Sequence, residues 1–552
     1  MNREISPRVR LVELLWQLKL AYDESGEGKV VFIHFNTLLN DEAYRQAIIQ
    51  EACQSHHKRI RQLGEELRDL DLGGVLLHKR SSGMFDGQSP APAHAASAPQ
   101  RQSDNAAAGW IAKAGLASLL GFALIAAAAY LFDAQVRGWL NGQTLVQGSI
   151  NKHTTWQAGS THLLDGLVFV EPGASLSIEA GAQVLGLPGS ALIVSRGAQL
   201  FARGSVKEPV VFTSSKPVGK RQSGDWGGVV LLGSAQVNQP NAFVEGIAKG
   251  DSRAAFGGEN NDSSCGLLDY VRIEFAGYAI SRDNELNGLT LAGCGGGTLI
   301  EHVQVHRPLD DGIEVFGGKV DLKHILITGA GDDSLDWDLG WSGRVQFLMA
   351  IQHSDQGDNA FEGDNNKAAP DAQPRSAPVM YNLTLVSPRS NSRYQRAMTL
   401  RHGTGGQFHN VIIQGFSGEA IDIGGEASAR LAQSNTMVFR SIIFHDIGAR
   451  GVSWFADESG DKDDDMGFDE RHAFFDFSAS KQLRYGSDPQ LSDEISNGYL
   501  PSFFVSPYSP ATKQAAPIPQ GEFWDEAANY LGAIRPGAYH GWTEGWTDFP
   551  LK

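Results

Sequence analysis

From about residue 144 onward, the chain alternates short apolar segments with tight turns. The turns contain Pro-Gly, Ala-Gly and Arg-Gly dipeptides, which is the pattern of β-strands joined by turns. Few of the segments alternate apolar and polar positions, as expected for strands of a parallel sheet. The first predicted strands are residues 163–170, 175–178, 182–185, 191–194, 198–202 and 210–213.

This pattern predicts a mostly β fold, a parallel β-helix (solenoid), over residues 144–480. A βαβ fold would need helices between the strands, and a sandwich or propeller would need hairpin signals such as Asn-Gly, which are sparse. Residues 481–552 lose the period and hold Trp524, Trp542 and Trp546. We expect them to form an irregular C-terminal cap over the last coil, because an uncovered end would leave an open strand edge.

The chain before the solenoid divides into three segments. Residues 1–80 have Leu and Ile at helical spacing, which predicts one helix over 9–22 and a second over 41–70. The second helix has a short seam with coiled-coil spacing, which either pairs two chains or packs on the first helix. Residues 81–109 are rich in Ser, Pro, Ala and Gln and predict a disordered linker. Residues 110–132 predict a transmembrane helix.

The membrane prediction rests on an uncharged apolar run of 19 residues at 114–132, nearly long enough to cross a bilayer core of about 30 Å. Flanking charges do not fix its orientation. Cys265 and Cys294 lie about one repeat plus a short insertion apart, so adjacent coils can join them in a disulfide, which persists in an oxidising compartment. We therefore expect a single-pass inner-membrane protein with a cytoplasmic N-terminus, a reduced Cys53 and a periplasmic or extracellular solenoid.

Three sequence lines between residues 309 and 366 can be aligned with one another. They read LDDGIEV, GDDSLDW and QGDNAFE, and they start 22 and 25 residues apart, which is a solenoid period. If the lines stack as neighbouring strands, Asp311, Asp333 and Asp358 lie about 4.8 Å apart. Carboxylates this close repel one another unless something neutralises them.

The acidic lines define the candidate site, for which three interpretations compete. Turn residues such as Asp cap backbone N–H groups without any ligand. Alternatively, carboxylates of adjacent coils bind Ca²⁺, for which we expect Asp311, Asp333 and Asp358. In the third interpretation, two carboxylates act as acid and base on a glycosidic bond. Trp337 and Trp341 either stack on sugar rings or pack in the core. The candidate ligand-binding residues are Asp310, Asp311, Asp332, Asp333, Asp336, Asp338, Asp358, Glu362, Asp364, Trp337, Trp341, Arg401 and His402.

The net charge narrows the range of partners. The chain has a formal net charge of −17 although only 20% of its residues are charged. The acidic excess lies beyond Lys113, in the predicted solenoid. An acidic domain repels nucleic acid, which we exclude as a partner, and it attracts cations or basic partners.

Several blocks carry a resemblance to a known family. They include GDWGG at 224–228, LLDYVRIEFAGYAI, DDSLDWDLGWSGRVQF, and GWTEGWT near the C-terminus. Over residues 158–549 the chain resembles exported bacterial right-handed parallel β-helix proteins, a poorly characterised group with a pectin-lyase-like solenoid. The resemblance implies the fold and export but no reaction, and this chain differs by its N-terminal segment and membrane anchor. Pectin lyases and polygalacturonases share such a fold, and Arg401-His402-Gly403 is similar to the His-Gly of polygalacturonases.

These observations favour a binding protein for a glycan or a cell-envelope partner, with Ca²⁺ as the expected cofactor. Three similar acidic turns predict similar environments, whereas an acid/base pair needs one protonated and one ionised group, so we expect no turnover. The alternatives are a polysaccharide lyase or glycoside hydrolase, and a transmembrane signalling protein with a cytoplasmic partner for residues 1–80.

Overall fold

The computed structural model describes residues 14, 18, 21, 42–71, 142–248, 250–281, 284–388, 393–448, 468, 470, 481–496, 501–538 and 540–551. They belong to two compact units, 1–141 and 142–552. The linker predicted over 81–109 and the membrane helix predicted over 110–132 lie outside these residues. Within the described part, no helix combines the length and the apolar composition that crossing a bilayer requires.

The first unit contains two helices where the sequence predicted one over 41–70. They are α1 (Glu42–Gln54) and α2 (Lys58–Asp71). Ile49 and Ile60, two positions of the predicted coiled-coil seam, are buried within the unit. Gly64 of α2 allows the close contact with α1, because a Cβ at this position would lie 2.8 Å from the Cβ of Ala52. The seam therefore serves packing inside the unit.

The regular elements in the described part of the second unit are short strands, the α-helix α3 (Glu426–Gln433) and two 3-10 helices, Ser252–Ala254 and Pro510–Thr512. The described strands are β1 (Gln143–Val146), β2 (Ser149–Ile150), β3 (Thr154–Trp156), β4 (Thr161–Leu164), β5 (Leu167–Val170), β6 (Ser175–Ile178), β7 (Gln183–Gly186), β8 (Ala191–Val194), β9 (Gln199–Arg203), β10 (Val210–Ser214), β11 (Val229–Leu232), β12 (Gly266–Glu274), β13 (Ala279–Ser281), β14 (Asn284–Glu285), β15 (Leu289–Ala292), β16 (Leu299–His306), β17 (Ile313–Phe316), β18 (Asp321–Thr328), β19 (Leu335–Asp338), β20 (Arg344–Ile351), β21 (Asn359–Gly363), β22 (Val379–Val386), β23 (Arg396–Leu400), β24 (Gly406–Gln414), β25 (Asp422–Ile423), β26 (Met437–His445) and β27 (Leu483–Tyr485).

Two long parallel sheets run along the unit. Sheet A has the order β1-β4-β7-β10-β12-β16-β18-β20-β22-β24-β26-β27, and β3-β6-β9 joins it at β12. Sheet B has the order β2-β5-β8-β11-β15-β17-β19-β21-β23-β25. Successive coils place Ile313, Leu335 and Phe361 in register in sheet B. The prediction of a parallel β-helix is therefore confirmed. Among the described strands, only β13 and β14 pair antiparallel.

The long strands of sheet A turn a corner at one position in each coil. β12 pairs with β9 before Tyr270 and with β10 after it. Tyr270 has a left-handed φ of 53°, and His302, His324 and Phe347 adopt the same conformation on the next three coils. Their rings stack with centroids 4.2, 4.5 and 4.9 Å apart. The stacked rings thus line the corner from coil to coil.

The interior of the solenoid is filled by apolar columns, as expected for strands buried on one face. Trp226, from the GDWGG block, is fully buried, and Gly186 leaves room for it, since a Cβ there would lie 2.5 Å from the Trp226 side chain. Trp337 and Trp341 are also fully buried. The expectation that these two rings could stack on sugars is wrong, because they point into the core.

The C-terminal segment 501–551 packs along the outer face of sheet A instead of forming only a cap on the last coil. Asn410 Nδ2, on β24, donates to the carbonyl oxygen of Ala516 at 3.0 Å. Gln304 Nε2, on β16 four coils earlier, donates to the carbonyl oxygen of Asp548 at 2.7 Å. The segment therefore runs back across the sheet, where it covers outward-facing apolar side chains that would otherwise contact water.

Cys265 and Cys294 form the predicted disulfide, with Cα atoms 5.7 Å apart. Cys265 immediately precedes β12 and Cys294 follows β15, so the bond closes a loop of 29 residues. Both residues are buried. Cys53, in the first unit, is a thiol outside this disulfide.

Thiol counting tests this arrangement. Protein denatured in the presence of an alkylating reagent should take up one alkyl group per chain without prior reduction and three after reduction, because the chain has 3 cysteines. Cys265→Ser should raise the unreduced count to two, from Cys53 and the released Cys294. Three thiols in the wild type without reductant would contradict the disulfide.

Candidate functional site

The outward-facing side chains of sheet B change character along the solenoid. On β8 and β11 they are apolar, as with Ile193 and Val230, and the segment 236–257 covers them with Val244 and Phe256. From β17 onward the outward positions carry acidic, hydroxyl and basic groups. Such groups retain hydrogen-bonding capacity, so this stretch of the face is the candidate site.

The strand register creates a column of carboxylates on this face. Glu314 on β17 lies beside Asp336 on β19, and Asp336 lies beside Glu362 on β21. The same column continues with Thr399 and Asp422 on the next two strands. Neighbouring strands lie about 4.8 Å apart, so the column places three carboxylates at that spacing.

A second column lies at the start of the strands, where each side chain caps the next coil. The backbone N–H of Asp333 donates to Asp311 Oδ1 at 2.9 Å. The backbone N–H and Nδ2 of Asn359 each donate to Asp333 Oδ1 at 2.8 Å. Asp311 and Asp333 are both buried. The turn-capping interpretation is therefore correct for this pair.

The strand register does not place Asp358, the third residue of the expected Ca²⁺-binding set, beside Asp333. Asn359, and not Asp358, lies next to Asp333, because the loop before β21 is longer than the loop before β19. Asp358 lies beside Asp332 instead, because the backbone N–H of Asp358 donates to the carbonyl oxygen of Asp332 at 2.9 Å. The Asp332 N–H in turn contacts the Asp310 carbonyl oxygen at 3.4 Å. These three aspartates form a separate, more exposed column.

Basic residues neutralise the end of the acidic face. The Arg401 guanidinium contacts Glu362 and lies 3.3 Å from Asp364. His402 Nδ1 lies 2.8 Å from Asp364 Oδ2. The predicted residues Arg401 and His402 are therefore brought to the acids. Asp338, one coil before Asp364, accepts the backbone N–H of Leu339 at 2.5 Å.

The segment that covers the apolar coils also borders the acidic face. Asn238 Nδ2 donates to Asn365 Oδ1 at 2.8 Å and to the carbonyl oxygen of Pro374 at 3.1 Å. Asn366 Nδ2 donates back to Asn238 Oδ1 at 3.0 Å. These bonds fix the segment against the loop after β21. The acids lie in a walled depression, since Glu362 and Asp364 have only 20% and 13% of their side-chain surface exposed.

The family model described as a pectate-lyase like beta helix domain matches residues 148–468, more than half of the chain. The chain belongs to this family. No curated protein and no solved structure matches it. The match includes the whole acidic face of the pectate-lyase-like domain and ends before the C-terminal segment.

The face of the pectate-lyase-like domain contains a cluster that the sequence did not reveal. Oxygens of Asp311, Glu314 and Asp336 all lie within 4.8 Å of one another. Asn287 Nδ2, from the preceding coil, donates to Glu314 Oε2 at 2.5 Å. Glu314 was missed although it aligns with Asp336 in the sequence lines. Asn287 could not be identified in this way, because it lies outside the three aligned sequence lines.

Burial gives the acids unequal proton affinities. It raises the pKa of Asp336 well above its usual range, helped by the negative charge of Glu314. Burial also raises the pKa of Glu362 to about 7 against the opposing effect of Arg401, and that of Asp338 to about 6. Burial acts on Asp364 too, but hydrogen bonds from His402 and Arg401 lower its pKa. The expectation of similar environments holds for the turn residues Asp311 and Asp333, which are both buried caps of the next coil. It fails for the acids on and after the strands, such as Asp336 and Asp364.

The contrast between Asp336 and Asp364 predicts opposite responses to pH. A carboxyl group whose pKa is raised on folding contributes stability below its unfolded pKa, and this contribution is lost as the pH rises through the folded pKa. In chelator, Asp336→Asn should therefore gain stability relative to the wild type between pH 5 and pH 8. The gain should increase with pH across this interval, because the unfolded state releases this proton more readily than the folded state.

Asp364→Asn is the matched control for this experiment. The pKa of Asp364 is lowered, so its contribution is present above the unfolded pKa, and the variant should be less stable than the wild type at both pH values. The measurement is denaturant unfolding of the three proteins at each pH. A constant difference between Asp336→Asn and the wild type would contradict a raised pKa.

Proposed function

We propose that the pectate-lyase-like domain binds an extended glycan along the outer face of sheet B, from β17 to β25. The observation that carries this proposal is the change of this face from covered and apolar to half-buried and polar over consecutive coils. Carboxylates and a guanidinium are strong partners for sugar hydroxyls. The coils repeat at about 4.8 Å, and the units of an extended polysaccharide follow one another at a similar spacing.

An aromatic group borders the polar face and supports a sugar ligand. Tyr394 precedes β23 and is 53% exposed, and its hydroxyl group donates to Glu419. The Arg396 guanidinium lies 5.0 Å from the centre of one face of the ring. Rings held in this way stack on the apolar faces of sugars. Tyr394 is therefore the ring proposed for sugar stacking, in place of Trp337 and Trp341, which are buried. The family description is consistent with a carbohydrate ligand.

Glycoside hydrolysis is the second candidate function, favoured by the separation of the pKa values of Glu362 and Asp364. An acid that stays protonated near pH 7 beside an ionised carboxylate is the arrangement that glycosidases need. Arg401 contacts both groups, so it would hold them in place. A lyase would need a basic residue free to accept a proton, whereas Arg401 is already paired with these acids.

We also propose that the chain is anchored in the inner membrane through residues 110–132, with the solenoid periplasmic or extracellular. The disulfide supports an oxidising compartment for the solenoid. An envelope protein is the alternative ligand for the polar face, and residues 1–80 would be free to meet a cytoplasmic partner. Thiol counting on alkylated cells tests this topology, because a reduced Cys265–Cys294 pair in vivo would argue against export.

Binding to a panel of neutral and acidic polysaccharides tests the main proposal with the full chain in detergent. Glu362→Gln and Arg401→Lys should each weaken binding about tenfold, since a hydrogen bond to a charged group contributes about 1.5–3 kcal/mol. Affinity electrophoresis gives the dissociation constants. Both changes preserve side-chain size, so the fold should persist.

Arg344→Lys provides the matched control, because Arg344 pairs with Asp321 on sheet A, away from the proposed face. It should leave binding unchanged. Equal losses in all three variants, or no binding to any polysaccharide, would overturn the proposal. Release of reducing ends without unsaturated products, abolished by Glu362→Gln, would establish hydrolysis in addition to binding.

A further inference from the structure

The charge of the proposed glycan-binding face limits which glycans it can accept. Along the outward columns of β17 to β25, and among the described residues that pair with them, acidic side chains outnumber basic ones. The acidic members are Glu314, Asp336, Asp338, Glu362, Asp364, Glu419 and Asp422, and the basic members are Arg396, Arg401 and His402. The pairing of these basic groups decides whether an acidic sugar finds a cation on this face.

At the end of β23, the basic groups are held by carboxylates of the preceding coil. The Arg401 guanidinium contacts Glu362 and lies 3.3 Å from Asp364. His402 Nδ1 lies 2.8 Å from the same Asp364 carboxylate. A guanidinium bonded to carboxylates still has N–H groups for neutral hydroxyls, but its positive charge is already balanced. A sugar carboxylate would have to displace one of these acids or lie beside it against their mutual repulsion.

At the start of β23, Arg396 is held in the same way. Its Nε lies 2.9 Å from Glu419 Oε2 and 3.3 Å from Asp422 Oδ2. Both carboxylates have less than one fifth of their side-chain surface exposed. The same guanidinium lies over the Tyr394 ring proposed for sugar stacking. The cation beside this ring is thus committed to acids of the face before any glycan binds.

Two acids on adjacent coils of the face are ionised at neutral pH. Burial raises the pKa of Asp338 only to about 6, so this carboxyl group has lost most of its protons above that value. Burial opposes the ionisation of Asp364, but hydrogen bonds from its two basic partners lower its pKa. These negative charges repel an anion that approaches this part of the face.

Two lysines border the face without offsetting its acids. Lys319 and Lys367 lie in the loops after β17 and β21, and both are exposed. Lys319 Nζ also donates to Ser342 Oγ at 2.7 Å. Water and salt screen exposed charges, so these ammonium groups attract a bound anion only weakly.

We propose that the glycan bound by this face carries no carboxylate, sulfate or phosphate groups. The inference rests on the proposed function, because it names the class of glycan for the same face. Neutral hydroxyl groups donate to the carboxylates and accept from the paired guanidinium groups, and they leave no charge unbalanced. A polyanion would place like charges together at half-buried positions, where their repulsion is stronger than in water. The class excludes pectate, the polyuronate whose lyase gives the family its description.

Two ligands that differ only in charge test the proposal with the full chain in detergent. The first is the neutral polysaccharide that binds best in the panel. The second is the same polymer after oxidation of part of its primary hydroxyl groups to carboxylates. The oxidised polymer should bind at least tenfold more weakly, both in chelator and in CaCl₂. Polygalacturonate should also bind at least tenfold more weakly than the neutral polymer in both solutions.

The outcomes separate this inference from the proposed function. Equal or tighter binding of the oxidised polymer or of polygalacturonate, in either solution, would overturn the inference and leave glycan binding established. Absence of binding to every polysaccharide would overturn both. Binding of the neutral polymer with loss on oxidation would support both.

Release of Arg396 from its acids tests the physical cause. The double variant Glu419→Gln/Asp422→Asn removes both carboxylates and keeps an acceptor for the Tyr394 hydroxyl group. The affinity for the oxidised polymer, relative to that for the neutral polymer, should rise at least fivefold. The reason is that the released guanidinium can pair with a sugar carboxylate. Affinity electrophoresis measures this ratio, and circular dichroism establishes that the variant is folded.

Asp321→Asn is the matched control for the double variant. It removes the carboxylate partner of Arg344 on sheet A, away from the proposed face, and should leave the ratio of the two affinities unchanged. An unchanged ratio in the folded double variant would overturn the proposal. An equal rise in Asp321→Asn would also overturn it, because it would assign the discrimination to the charge of the whole chain instead of to the pairs on this face.

Discussion

The register between parallel strands of sheet B is the constraint on which the site depends. Because each coil lies about 4.8 Å from the next, residues at equivalent positions form columns, whatever their charge. In the interior of the solenoid such columns are stabilising, because apolar residues stack on apolar residues. On its outer face the same rule places Glu314, Asp336 and Glu362 together. The protein must then neutralise carboxylates that its own fold has aligned.

Three different solutions occur within a few coils. Asp311 and Asp333 accept backbone N–H groups of the next coil, so their charge is partly balanced by peptide dipoles. Asp364 is paired with Arg401 and His402. The remaining acids, Glu314 and Asp336, have neither kind of partner in full. Burial raises the pKa of both, as it does for Asp311 and Asp333. Because these acids are neutralised in different ways, coils with similar sequences differ in their local chemistry.

The fold could be predicted from the sequence because Gly-containing turns and short apolar strands recur with a solenoid period. The inward orientation of Trp337 could also be predicted. Side chains alternate along a strand, and Asp336 and Asp338 on either side of it point outward. The register between coils was harder to predict. Loops that differ by a few residues shift the alignment, which is why Asp358 was placed next to Asp333 where Asn359 lies.

The environments of the acids could not be obtained from sequence spacing. They depend on contacts that span long stretches of chain, such as those of Asn238 with Asn365 and of Arg401 with Glu362. The course of the C-terminal segment is a further example. Its return along sheet A depends on buried amides, including Gln304, that lie more than two hundred residues earlier and carry no local signal.

The outer face of sheet B from β17 to β25 is the proposed glycan-binding surface. A crystal structure of the protein with an oligosaccharide chosen from the polysaccharide panel tests this proposal most directly. Sugar rings along this face, with hydroxyl groups within hydrogen-bond distance of Glu362 and Arg401, are the predicted result. An oligosaccharide bound elsewhere, with this face empty, would contradict the proposal.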